Sequence, residues 1–273
     1  MAEMFDLTRQ VAVVTGGTGR LGAQFVSTLA GAGAWVAAFD IHTQAAPEVF
    51  GSLGGAGRIS VHKVDIIARE SVKSGFDEVI AQQGTPTILV NCGGIGAPPG
   101  ALLADNGPFE TYPEASWDAF INSHLKGTFL VSQEFVRRYR LAGCKSGSII
   151  NVSSTYGVVT PDQSVYEYRR RRGEQYFKPV AYSVAKSGVL NFTRWLAEYG
   201  APLGIRVNTL VPGGVREDGH DPEFVAEYER RTPLGRMAAA SEYNGAVLFM
   251  ASEKASGYMT GATLVVDGGW TAR

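Results

Sequence analysis

The sequence predicts an α/β fold: a single doubly wound domain, with a mostly parallel seven-stranded sheet and helices on both faces. Three observations point there. Short β-branched runs alternate with longer amphipathic stretches along the whole chain. Glycine, 34 of the 273 residues, falls between the apolar segments, where strand–helix loops need it. No internal repeat and no linker breaks the rhythm, so residues 1–273 read as one domain. Right-handed crossovers then distribute the helices over both faces.

In chain order, "VAVVT" (11–15) is a buried strand, 21–32 a helix and "AWVAAFD" (34–40) the next strand. "RISVHKVD" (58–65), "TILVNCG" (87–93), "GSIINVSS" (147–154), "GIRVNTLVP" (204–212) and "ATLVVDGG" (262–269) repeat the strand pattern. Helices are expected at 68–83, 115–141, 181–199 and 240–252. Segment 156–180 interrupts the alternation and carries Arg169, Arg170, Arg171 and Arg172 in one run among aromatics. It is too long for an ordinary connection and reads as a functional or packed loop.

Composition excludes several classes. Lys+Arg of 25 against Asp+Glu of 26 gives a net charge of −1, which attracts neither nucleic acid nor an anionic membrane. Cys92 and Cys144 form no disulfide framework and lack metal-ligand spacing, so no metal and a reduced, cytoplasmic setting are expected. "MAEMFDLTRQ" lacks the pattern of a secretory signal, and no run approaches the ~18 apolar residues of a membrane span.

"TGGTGRLG" (15–22) lies between a strand and a helix, the context in which a glycine loop cradles a pyrophosphate. Glycines allow the tight turn and keep Cβ atoms out of the contact, and the helix N-terminus favours the anion. Gly17, Gly19 and Gly22 fit G-x-G-x-x-G; Gly16, Gly19 and Gly22 fit a sister spacing that leaves position 20 free. Asp40 ends the next strand, 18 residues beyond Gly22, where a carboxylate accepts hydrogen bonds from ribose hydroxyls and repels a 2′-phosphate. NAD is therefore favoured over NADP. Arg20 keeps NADP open: it suits a 2′-phosphate, the pyrophosphate or solvent.

Tyr182 and Lys186 stand at i, i+4 and share a helix face. A free tyrosine, with a pKa of ~10, is a poor base at neutral pH. An ammonium ~5 Å away, at an effective dielectric of ~20, favours the phenolate by ~3 kcal/mol. Tyr182 would then take a proton from a substrate hydroxyl as hydride leaves the same carbon.

With these residues in place, the chain resembles the short-chain dehydrogenase/reductase family nearly end to end. The matching pieces stand in family order: "TGGTGRLG", Asp40, Asp65, "NCGG" (91–94), "SS" (153–154), "YSVAK" (182–186), "RVNTLVPGGV" (206–215) and "TGATLVVDGG" (260–269). The resemblance implies a Rossmann-type fold, a nicotinamide cofactor and Ser-Tyr-Lys catalysis. Tyr182 becomes the general base or acid, Lys186 lowers its pKa and holds the nicotinamide ribose, and Ser154 binds the reacting oxygen, with Ser153 the second candidate. Gly16, Gly19, Arg20, Leu21 and Gly22 fall at the cofactor phosphates, Asp40 and Ile41 at the ribose, and Asp65 and Ile66 beside the adenine. Asn91 and Gly93 lie against the cofactor, and Pro212, Gly213 and Val215 approach the carboxamide. Strand-end capping is the alternative for Asn91 and Asp65.

Departures from the family pattern carry information. His124 in "INSHLKGTF" stands where the family has an active-site asparagine, so either a proton relay titrating near neutrality or a packing histidine is expected there. Ser154 and Tyr182 are 28 residues apart, which places the insertion 156–180 between two catalytic residues. "PGGVRED" lacks the threonine that often follows this loop's valine. Residues 214–237 are expected to form the substrate lid, with Arg216 and His220 as further candidates.

The pattern across the insertion looks like a branch that oxidises sugars, sugar acids or polyols. Arg169 to Arg172 offer guanidinium forks for a carboxylate, sulfonate or phosphate, or else form a solvated face or subunit contact. The expected activity is NAD-dependent oxidation of a secondary alcohol or hemiacetal of a sugar-like, anionic substrate. The alternatives are an NAD(P)H-dependent reductase of 3-oxoacyl thioesters and a non-catalytic nucleotide sensor. By analogy, the helices at 115–141 and 181–199 form the contacts of a homotetramer, and "DGGWTAR" packs at another subunit boundary.

Overall fold

A computed structural model describes residues 2–44, 46–53, 56–96 and 106–272. The elements run β1 (Val11–Thr15), α1 (Arg20–Gly31), β2 (Trp35–Asp40), α2 (Ala46–Leu53), β3 (Ile59–Lys63), α3 (Arg69–Gln83), β4 (Ile88–Asn91), α4 (Glu114–Ile121), a π-helical turn (Asn122–Lys126), α5 (Gly127–Leu141) and β5 (Gly147–Val152). Then come α6 (Thr155–Val158), α7 (Glu167–Arg171), α8 (Val180–Gly200), β6 (Ile205–Pro212), α9 (Pro222–Arg231), α10 (Asn244–Ala251), α11 (Glu253–Ser256) and β7 (Thr263–Val266). The seven strands form one parallel sheet in the order β3-β2-β1-β4-β5-β6-β7.

The expected strands are all present, and their apolar runs explain why. In β1, β4 and β5 every residue is buried, because helices cover both faces of a parallel sheet. One face packs Ala12, Val14, Val90 and Ile150 against Phe25, Val26 and Leu29 of α1 and Val247 and Met250 of α10. The other packs Val13, Phe39, Leu89 and Ile149 against Phe76 of α3, Phe135 and Tyr139 of α5 and Leu196 of α8. No helix among the described residues is long and apolar enough to cross a membrane.

The structure refines two expectations. The helix expected at 115–141 changes hydrogen-bond phase at Asn122–Lys126, a π turn that periodicity does not signal. Insertion 156–180 is folded rather than irregular: it holds most of α6, a 3₁₀ turn at Gln163–Tyr166, and α7. Within the chain, the terminal segment tucks Trp270 inward, stacked on Tyr228 at 4.2 Å between centroids. That ring joins a third apolar cluster with Tyr156, Val165 and Tyr166 of the insertion and Val225 and Tyr228 of α9.

Candidate active site

The strand order reverses between β1 and β4, and parallel sheets bind ligands in the crevice outside the strand carboxyl ends at such a point. Thr15 bridges that crevice: its hydroxyl accepts from the Cys92 and Gly93 amides at 3.1 and 2.9 Å. The glycine loop follows directly. Gly16 sits at φ +62°, and a Cβ there would stand 2.9 Å from the Gly93 Cα. A Cβ on Gly22 would lie 2.0 Å from the Gly16 carbonyl oxygen. Helix α1 opens at Arg20 with Gly19 as a cap that supplies no side-chain acceptor. Its first internal bond runs from the Ala23 amide to the Gly19 carbonyl, which leaves the amides of Arg20, Leu21 and Gly22 at the open helix end. A shallow backbone cradle at a helix N-terminus fits a pyrophosphate.

Leu21 packs its side chain on the core, and Arg20 pairs with Glu217 in the segment after β6. Arg20 thus has a carboxylate partner that the sequence did not signal. The Asp40 carboxylate accepts from the Thr18 amide at 3.2 Å and the His42 amide at 3.0 Å, so it fixes the loop and stands at its edge. Ile41 beside it is exposed. Asp65 accepts from the Ile67 amide at 3.0 Å, the strand-end capping considered above. Ile66 packs against Gly93 and Gly127. Asn91 braces the sheet, donating to Asn151 at 2.8 Å and Ser132 at 2.9 Å. Pro212 ends β6, Gly213 donates to Val266, and Val215 bridges to Ala238. Arg216 donates its amide to Ala238, while His220 accepts from the Glu217 amide at 3.3 Å.

The expected triad converges where β5 meets α8. Ser154 caps α6, its hydroxyl accepting from the Tyr156 amide at 3.2 Å, and it lies close enough to Tyr182 to pull the phenol's pKa down. Ser153 instead donates to the Lys186 carbonyl at 2.7 Å, which gives it a structural bond within the core. Lys186 is buried and donates to the Val152 carbonyl at 2.9 Å, with its ammonium 6.0 Å from the Tyr182 ring centroid. Burial pushes Lys186 down to about 8. Burial also raises the Tyr182 phenol above its ordinary value, against the pull of Ser154. Desolvation therefore sets the direction for the phenol in this structure.

His124 lies on the π turn, buried, stacked on Phe120 and edge-on to Tyr182 at 5.3 Å. Its Nε2 lies 2.9 Å from the Ile95 carbonyl, which can only accept, so Nε2 carries the proton. Nδ1 then carries the lone pair, buried with no partner among the described residues. Desolvation first, and the Lys186 charge next, hold the imidazole well below its ordinary value. The expectation that His124 titrates near neutrality is corrected: it is a neutral ring.

The four arginines face carboxylates. Arg169 pairs with Glu174 and lies over Tyr176, and Arg170 pairs with Glu167 and donates to the carbonyls of Gln163 and Tyr176. Arg171 and Arg172 reach across to Glu223 and Asp221 at the start of α9. Arg231, at the far end of α9, pairs back to Asp162. The arginine run therefore straps the insertion to the 214–237 segment instead of presenting four free guanidinium groups. Because the Arg171–Glu223 pair is exposed, Arg171→Ala should cost no more than about 1 kcal/mol in chemical denaturation and leave substrate KM unchanged.

Sequence reasoning passed over Lys178. It lies one turn ahead of Tyr182, and Pro179 caps the helix between them. Its ammonium sits over the Tyr182 ring, 4.6 Å from the centroid, and burial lowers it to about 8. The available signal was a lone basic residue four positions before the tyrosine.

Comparison with known proteins agrees with this geometry. A family model described as enoyl-(acyl carrier protein) reductase matches residues 19–271. The D-threitol dehydrogenase of Mycolicibacterium smegmatis is 34% identical, over 98% of this chain and 95% of its own. The cis-4-hydroxycyclohexanecarboxylate dehydrogenase of Sinomonas cyclohexanicum is 34% identical over the full length of both. The crystal structure of a short-chain dehydrogenase from Leptospira borgpetersenii with bound NAD+ superposes with a TM-score of 0.83 at 33% identity, covering 97% of this chain and 94% of that one. With its parallel sheet, its glycine cradle and its Ser-Tyr-Lys set, the chain belongs to the short-chain dehydrogenase/reductase family, enzymes that act on CH–OH groups.

Proposed function

We propose that the protein oxidises a secondary alcohol of a polyol or hydroxy acid with NAD. The observation that carries this is the convergence of Ser154, Tyr182 and Lys186 beside the β1–β4 crevice. The glycine loop, the α1 N-terminus and Asp40 would hold the dinucleotide, and bound nicotinamide supplies the hydride acceptor. Tyr182 would take the hydroxyl proton while the hydride of the same carbon goes to that acceptor, so that the CH–OH carbon becomes a carbonyl. Ser154 holds the reacting oxygen. Lys186, anchored on Val152, keeps a positive charge on the far side of the phenol. His124 keeps the Tyr182 ring in place through edge-on packing and transfers no charge of its own. Relatives that act on threitol and on a hydroxycyclohexanecarboxylate support the substrate range. Four copies associating through the α5 and α8 faces belong to the same reading, supported by exposed Phe129, Trp195 and Tyr199.

The test is a scan of polyols, sugars and hydroxy acids with NAD and with NADP, followed by the absorbance of reduced nicotinamide. Turnover with NAD is expected. Clear NAD binding with no turnover on any alcohol favours the sensor alternative. Asp40 supports NAD, because a carboxylate beside the ribose repels a 2′-phosphate by several kcal/mol. Asp40→Ser should move the NADP-to-NAD ratio of kcat/KM toward NADP by about tenfold to a hundredfold. An unmoved ratio overturns the assignment of Asp40.

A further inference from the structure

Every arginine of the insertion has a carboxylate partner; Lys178, its remaining cation past that run, has none within ion-pair distance among the described residues. The stem of Lys178 is held firmly. Its amide donates to the Gln163 side-chain oxygen at 2.9 Å, and the Gln163 side-chain nitrogen donates to the Lys178 carbonyl at 3.4 Å. Two ammonium groups therefore lie near the phenol: Lys186 one turn beyond Tyr182 on α8, and Lys178 four residues before it, ahead of the α8 cap Pro179. Lys186 points inward to the Val152 carbonyl, and Lys178 comes from the insertion and lies on the ring face. Lys178 is half-buried against an aromatic ring with no carboxylate in ion-pair reach among the described residues, which leaves its ammonium available to an arriving anion. The ammonium stands 4.6 Å from the ring centroid of the proton-transfer residue Tyr182, and its charge is also felt at His124.

Resting on the alcohol-oxidation reading above, we infer that Lys178 recognises a carboxylate carried by the substrate itself, a few bonds from the carbon that is oxidised. The substrate class is then a hydroxycarboxylate rather than a neutral polyol. A single ammonium suits a monoanionic carboxylate. A phosphate dianion would call for several donors or an arginine fork, and the neighbouring forks are already engaged.

Two substrate pairs test this: cis-4-hydroxycyclohexanecarboxylate against cyclohexanol, and threonate against threitol. The measured quantity is the acid-to-neutral ratio of kcat/KM with NAD in the wild type, Lys178→Met and Lys178→Arg. General damage cancels in that ratio. The wild type should prefer the acid of at least one pair. K178M should lower the ratio by about tenfold to a hundredfold, and K178R should restore part of it. In parallel, cyclohexanecarboxylate, which has no hydroxyl to oxidise, is titrated into the protein with NAD present. Saturable binding in the wild type should be lost in K178M. A ratio that K178M leaves unchanged, or wild-type preference for the neutral member of both pairs, overturns the inference while alcohol oxidation stands. Lysine-dependent binding without turnover of any alcohol overturns the oxidation reading and leaves the anion site. Neither binding nor turnover overturns both.

Discussion

Tyr182→Phe is expected to lower alcohol oxidation by about a hundredfold to ten-thousandfold while NAD still binds. The change removes one oxygen and leaves the ring, which packs edge-on against Phe120 and His124 and under the Lys178 ammonium. Packing and fold should therefore persist, and the loss should fall on kcat. The phenol must give up its proton before it can accept the substrate's, and burial raises it above its ordinary value. Oxidation by the wild type should accordingly rise with pH on the alkaline side, and the residual rate of the Phe variant should not follow that rise. Steady-state rates across pH, with NAD titrated separately, check both parts. Retention of more than a tenth of the wild-type rate would remove Tyr182 from the proton transfer.

Gly22→Ala is the second large effect. The new methyl would stand 2.0 Å from the Gly16 carbonyl oxygen and 2.7 Å from its carbon, both backbone atoms that no side-chain rotation can clear. Either the loop or the first turn of α1 must move, at about 1–3 kcal/mol of stability. The cradle moves with it, so NAD affinity should fall by at least tenfold. Gly31→Ala, in the last turn of the same helix, meets nothing within 4 Å and should be neutral or slightly stabilising. Thermal unfolding and NAD titration of the pair separate a crowded cradle from a general intolerance of α1.

Much of the sheet and of the catalytic set was legible because local chemistry encodes it. A buried parallel strand such as Val11–Thr15 has to be apolar throughout, and a tyrosine–lysine pair at helical spacing has to share a face. What escaped depends on partners distant in sequence. Four adjacent arginines look like a free basic patch, yet Arg169 and Arg170 have the nearby Glu174 and Glu167, and Arg171 and Arg172 meet Glu223 and Asp221 some fifty residues on. The partner of Arg20 is Glu217, on the opposite side of the crevice, and nothing near the glycine loop announces it. The stacking of Trp270 on Tyr228 was not legible either, because the two residues stand some forty positions apart and on different elements. His124 shows the same limit in its electrostatics. Its residue type suggests a titrating group, but burial and two nearby ammonium charges keep it neutral.

The strapping of the insertion to α9 has a consequence for how this enzyme can diversify. Arg171 and Arg172 hold one end of the helix, Arg231 holds the other, and Tyr166 stacks on Phe224 between them. Segment 156–180, which carries Lys178 to the phenol, is therefore tied to α9 at both ends of that helix. If residues 214–237 form the expected lid, a mutation there that retunes which molecule is accepted would also alter how fast the chamber opens. Selectivity and turnover would then be inherited together, and laboratory evolution toward a new substrate should recover speed through compensating changes at the Pro222–Arg231 helix.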